Sequence, residues 1–186
     1  ALELLHEAQH SCGPTLTACE CFSDFCLTLV ERHFAPHKSP FGGRHPQYVL
    51  LELSDTQGEG VAALAEAALG EALERGLARD AAIATSGAQA RQLWELRENM
   101  SDAQALEGPN VKHDISIPIS RIAEFIDACD ARLERAFHGV RMVTFGHVGD
   151  GNLHYNAAHP EGGDPAAFLA RAGDINRIVH DTVAEF

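Results

Sequence analysis

The chain has 186 residues and a formal net charge of −13, with 14 Lys and Arg against 27 Asp and Glu. That length fits one domain with a sizeable core, and so acidic a chain is a poor partner for nucleic acid or an anionic membrane surface. A locally basic pocket for an anionic substrate stays compatible with the sum. No run approaches the ~20 apolar residues of a membrane span, and the N-terminus has neither the basic region nor the apolar core of a signal peptide. Cys12, Cys19, Cys21, Cys26 and Cys129 are odd in number and lack paired spacing, which fits a reducing, cytoplasmic setting with the thiols packed inside.

Residues 16–22 alternate as a strand, with Leu16, Ala18 and Phe22 on one side. Ser23 can cap a helix to His33, and Tyr48 to Leu53 reads as a buried strand. Val61 to Arg75 is an Ala/Leu-rich helix stopped by Gly76, Asp80 to Thr85 a short strand, and Ser86 or Gly87 opens a helix to about Met100. Residues 101–110 read as a polar, mobile stretch, and Lys112 to Pro118 as one strand. Ser120 is expected to cap the helix Arg121 to Phe137, whose apolar face is Ile122, Phe125, Ile126, Cys129 and Leu133. A hairpin follows, then a helix from about Pro165 to the end. This order predicts an α+β fold built from ferredoxin-like βαβ units, a mainly antiparallel sheet with helices packed on one face. A doubly wound parallel sheet is the competitor, and no Gly-rich loop joins a strand to a helix to support it.

The hairpin carries the densest signal, Phe145-Gly146-His147-Val148-Gly149-Asp150-Gly151-Asn152-Leu153-His154-Tyr155-Asn156. A two-residue Asp150-Gly151 turn would set His147 opposite His154, with Cβ atoms roughly 5 Å apart. Phe145 and Asn156 would follow on the same face. Two imidazoles so placed suit two ligands of a zinc ion; surface histidines flanking a Gly-rich turn are the alternative. Arg97 and Ser101, four apart on a helix, can together grip a carboxylate, and Lys112 can add a second cation. A solvated helix face and an exposed strand end are the plain readings of those positions.

Taken together, Leu93-Trp94-Glu95-Leu96-Arg97-Glu98, Lys112 to Pro118 and Gly146 to Asn156 resemble the C-terminal substrate domain of FAD-linked oxidases of the vanillyl-alcohol oxidase superfamily. The branch is that of D-2-hydroxyglutarate and D-lactate dehydrogenases, with the glycolate oxidase flavin subunit more distant. The resemblance covers essentially the whole chain, residues 1–186 forming one truncated C-terminal substrate (cap) domain. It implies an N-terminal domain that binds most of the FAD and a downstream Glu-His-Gly segment with the third zinc ligand and the base, both expected to lie outside this chain. It implies zinc ligation by His147 and His154 and substrate binding by Arg97, Ser101, Lys112 and Asn156, with no catalytic base in the chain itself. The implied reaction oxidises a D-2-hydroxy acid to the 2-oxo acid, with hydride passing to FAD and electrons on to an electron-transfer flavoprotein or quinone. A homodimer is compatible with it. The chain alone is expected to bind no FAD tightly, to hold metal weakly or not at all, and to show no dehydrogenase activity. The competing functions are a non-catalytic ferredoxin-like ligand-binding or dimerisation module and a hydrolytic zinc enzyme, neither of which needs a carboxylate clamp.

Overall fold

The structure is a computed structural model that describes residues 1–55 and 60–186. Six strands form one sheet: β1 (Leu16–Ser23), β2 (Gln47–Leu53), β3 (Asn110–Val111), β4 (Asp114–Ser116), β5 (Arg141–His147) and β6 (Asn152–Ala158). Their order is β2-β1-β5-β6-β3, with β4 also on β6, and the described pairings are all antiparallel. The helices are α1 (Leu2–Cys12), α2 (Asp24–His33), α3 (Val61–Glu74), α4 (Gly87–Glu98), α5 (Met100–Glu107), α6 (Ile122–Ala136), α7 (Pro165–Ala170) and α8 (Ala172–Val183). The α+β class with a mainly antiparallel sheet is as expected. Its ferredoxin-like element is β4-α6-β5, a βαβ unit with β6 running between its two strands.

Helices pack on both faces of the sheet, where the sequence pointed to one. On the first face, Cys19, Leu153, Tyr155 and Ala157 meet Leu5 of α1, Phe125, Cys129 and Leu133 of α6, and Ile175 and Val179 of α8. On the second, Phe22, Tyr48, Val143 and Phe145 meet Cys26, Leu29 and Val30 of α2, Leu96 of α4, and Met100 and Ala103 of α5. The alternation along β1 and β5 is apolar on both sides near Phe22 and Val143, which is why a second layer of helices is needed there. That layer leaves an opening on the rest of the second face, where half-buried His147 and His154 stand in line with Phe145 beside the buried Glu20 and Asn156.

Several local expectations change. Residues 81–85 form no strand, and the stretch expected to be mobile is α5, whose Met100, Ala103 and Gln104 are buried at helical spacing. The 112–118 strand is shortened to β4, and a break at Lys112-His113 separates it from β3 just upstream. Ser120 caps nothing: a single 3-10 turn (Ile119–Arg121) leads into α6, and Arg121 is its N-cap residue. The C-terminal helix is divided at Arg171, and α1 had no counterpart in the sequence reading. Ser23 does cap α2, accepting from the Cys26 N–H, and the α6 apolar face is as expected.

Candidate functional site

The β5-β6 hairpin builds one wall of the site, with a register two residues from the expected one. Phe145 pairs with His154, Thr144 with Tyr155 and Val143 with Asn156, so the loop is the four-residue turn 148–151 and not Asp150-Gly151 alone. Two forces select it. Val148 is buried in the core with Leu153 instead of pairing with it, and the Asp150 carboxylate accepts from the Asn152 N–H at 2.9 Å. An even shift preserves the facing of every side chain. His147 and His154 therefore still share a face with Phe145 and Asn156, but as diagonal neighbours and not as an opposed pair.

The glycines of this segment serve packing. A Cβ on Gly146 would meet the Asn152 carbonyl oxygen at 2.3 Å, and one on Gly151, which has φ +82°, would meet that of Ile117 at 2.4 Å. The β4-β6 junction closes through the Ile117 N–H, which donates to the Gly151 carbonyl at 3.0 Å. Gly149 leaves room for the His147 ring, whose Nε2 lies 3.0 Å from where a Cβ would stand.

A cavity of about 310 Å³ opens on this face, lined by Ser101 and Gln104 of α5, Lys112, His113, Asp114, Phe145, His154 and Asn156. Of the six residues singled out from sequence, Ser101, Lys112, His154 and Asn156 line it directly. Arg97 reaches it through Phe145, its guanidinium lying over that ring at 4.7 Å. His147 adjoins through Glu20, whose Oε1 lies 3.3 Å from His147 Nδ1 while its Oε2 accepts from Arg97 Nε at 2.6 Å. The terminal nitrogens of Arg97 form no hydrogen bond among the described residues, which leaves the outer edge of the guanidinium for an anion. Lys112, exposed and without an ion-pair partner among the described residues, supplies a second positive charge.

Asn156 is the residue whose setting departs most from a free ligand-binding amide. It is 3 % exposed, its Oδ1 accepts from the His113 N–H at 2.9 Å, and its Nδ2 donates to Gln104 Oε1 at 3.0 Å. That bond occupies the backbone where the strand breaks, so Asn156 fixes the turn that presents Lys112. His113 beside it is inward: its Nδ1 meets the Tyr155 carbonyl at 2.8 Å and its Nε2 meets Asn176 at 2.9 Å. Burial pushes its pKa down, against the hydrogen bonds its ring can donate to those two oxygens.

Each candidate metal ligand has a carboxylate at Nδ1. Glu20 stands by His147 at 3.3 Å, and Asp114 by His154 at 3.8 Å. At His147 this is the outer-shell arrangement that directs Nε2 of a histidine to a metal; at His154 the carboxylate stands beyond hydrogen-bond reach. Among the described residues no group of three His, Cys, Asp or Glu side chains is placed to hold an ion. Two imidazoles on one face of the sheet are donors of the type zinc takes, and they are only two of the four such an ion needs.

Glu20 and Gln104 were missed from sequence. Glu20 interrupts an apolar strand between Cys19 and Cys21, and a lone carboxylate in such a run is the signal that could have marked it. Gln104 lay in the stretch read as mobile.

The sequence profile described as FAD linked oxidases, C-terminal domain, matches residues 1–185. D-2-hydroxyglutarate dehydrogenase of Xanthomonas citri pv. viticola is 37 % identical over 171 residues, which is 92 % of this chain and 35 % of that protein. The protein of the same name from Stutzerimonas stutzeri is 35 % identical over 92 % of this chain and 36 % of its own length. The mitochondrial one of Arabidopsis thaliana is 31 % identical over 87 % and 28 %. The chain therefore spans about a third of the length of the relatives it matches. Among the described residues no helix is long and apolar enough to cross a membrane.

Proposed function

The chain belongs to the family of FAD linked oxidase C-terminal domains, and from that premise we propose that it forms the substrate side of a dehydrogenase that oxidises a D-2-hydroxy acid to the 2-oxo acid. The relatives named as D-2-hydroxyglutarate dehydrogenases favour a 2-hydroxyglutarate-like substrate. The observation that carries the reading is the convergence of Lys112 and His154, lining one cavity, with Arg97 and His147 beside it on the same face of the sheet.

The flavin's phosphates find no cradle in the described residues. Gly146 and Gly151 of the hairpin are packed against backbone and Gly149 against the His147 ring, and the segment leads into a strand, whereas a phosphate loop opens a helix. The isoalloxazine would therefore be held from elsewhere, accept hydride when bound, and be reoxidised by an acceptor of the electron-transfer flavoprotein or quinone class. What this chain supplies is orientation. The outer edge of Arg97 forks one substrate carboxylate, Phe145 keeps the guanidinium plane fixed, and Ser101 adds a hydroxyl. Lys112 takes a second anionic group or the far oxygen of the first. Held at both ends, the substrate has its α-hydrogen aimed in one direction, which lowers the entropic part of the barrier. His147 and His154 would hold zinc with a third donor outside the described residues, and the ion's chemistry is to lower the pKa of the substrate hydroxyl.

The test is anaerobic mixing of the flavin-loaded protein, this chain together with the domain that holds its flavin, with a panel of D- and L-2-hydroxy acids, following loss of the oxidised-flavin absorbance. Bleaching by a D-2-hydroxy acid and not its L enantiomer is expected. A flavin that no 2-hydroxy acid reduces would contradict the proposal and favour a non-catalytic ligand-binding module.

A further inference from the structure

We propose that Glu20 is a positioning residue shared by the two halves of the site, one carboxylate oxygen fixing the Arg97 guanidinium and the other the His147 imidazole. The inference rests on the functional reading above and deepens it. Glu20 sits in the middle of β1 and is 7 % exposed, where a carboxylate persists only with partners. The strand register sets it directly opposite His147, so their contact follows from backbone pairing. Arg97 arrives from a separate element, α4, and gives its Nε to Oε2 at 2.6 Å.

The consequences for the two partners differ. With Nε held by Glu20 and the plane held over Phe145 at 4.7 Å, the guanidinium has both its edge and its tilt fixed. Only its terminal edge can meet a carboxylate. With a carboxylate at Nδ1, His147 keeps its proton there and leaves Nε2 as the ligand atom. Glu20 itself does not line the cavity. It acts through its neighbours, and it holds the carboxylate anchor and the metal ligand in one frame.

Glu20→Gln in the flavin-loaded protein tests this. The amide oxygen can keep the bond from Arg97, while the amide N–H faces Nδ1 of His147 and drives the proton to Nε2. We expect kcat/KM for the 2-hydroxy acid and zinc content each to fall by about 10- to 100-fold. Flavin content should hold, and the thermal midpoint should move by less than about 4 °C. Glu20→Asp, which keeps the charge and loses reach, gives the same comparison if the first variant does not accumulate folded. Wild-type kinetics and zinc with a lowered thermal midpoint would overturn the proposal and leave an ion pair that only holds α4 on the sheet. If no 2-hydroxy acid bleaches the wild-type flavin, the functional reading falls and the imidazole nitrogen NMR shifts of His147 still decide on Glu20. An Nδ1–H tautomer that switches in the Gln variant supports it, and an unchanged tautomer overturns it.

Discussion

Phe145 lies directly across the hairpin from His154, and the two rings approach to 4.8 Å between centroids. The same phenyl ring carries Arg97 at 4.7 Å, so one apolar side chain, 1 % exposed, seats both a candidate metal ligand and a candidate substrate anchor. Phe145→Ala should cost about 3–5 kcal/mol as a buried aromatic truncation. Phe145→Leu should cost less and still weaken substrate binding, since the volume is largely kept and the cation–π seat is lost. Urea unfolding and KM measured on the same two variants check this pair of outcomes.

Asn156 is expected to act first on stability. Replacing it with Ala leaves the His113 N–H and the Gln104 amide without their partners at a buried site, a loss of roughly 1–3 kcal/mol. The released strand break would also let Lys112 drift, so KM should rise along with the loss of stability. A variant of unchanged stability would show that water replaces these bonds at no cost.

Glu107 gives the acid stability a defined window. Burial raises its pKa, but hydrogen bonds from His33, Arg141 and Arg32 outweigh that and hold it at about 2 against the ordinary 4.5. Because the folded value is the lower one, its contribution is complete above about pH 4.5 and is lost as the pH falls through about 2. Glu107→Gln should lower stability by roughly 1–3 kcal/mol near neutrality. Its urea midpoint should converge on that of the wild type as the pH falls through that window; a gap that stays constant down to the lowest pH would contradict the assignment.

The thiols should be inert in the folded protein. All five cysteines are free, and burial pushes Cys19 up to about 12 and Cys21 and Cys26 up to about 11, far from the thiolate that reacts. A maleimide reagent at neutral pH should label them only on unfolding, so mass spectrometry of native protein should find no modified Cys19 or Cys26.

The site was legible where residue type and parity decide, and less so where packing decides. Arg97, Lys112, His147 and His154 are chemically conspicuous, and the shared face of the two histidines survives because a two-residue slip does not change strand parity. The slip itself depends on whether Val148 is buried, which no local pattern states. Helix α5 was hidden by polar Ser101, Asp102 and Gln104, although Met100, Ala103 and Glu107 keep helical spacing. The break at Lys112-His113 depends on Asn156, 43 positions away along the chain, and Glu20 acquires its meaning only from partners on β5 and α4. The second helical layer follows from such long-range contacts too, so the number of covered faces could not be read from local periodicity.

In the proposed function Arg97 and Lys112 hold the substrate while the histidine pair acts on its hydroxyl. The most direct measurement is the kcat and KM of the flavin-loaded wild type beside Arg97→Met, Lys112→Met and His154→Ala, with zinc and flavin content determined on each. An anchor engaged equally in ground and transition states alters KM more than kcat, so both Met variants should raise KM by about tenfold or more with kcat within a few-fold. His154→Ala should lose zinc and most turnover with the flavin still bound. Met variants with wild-type KM, or a His154→Ala protein that turns over normally, would contradict these roles.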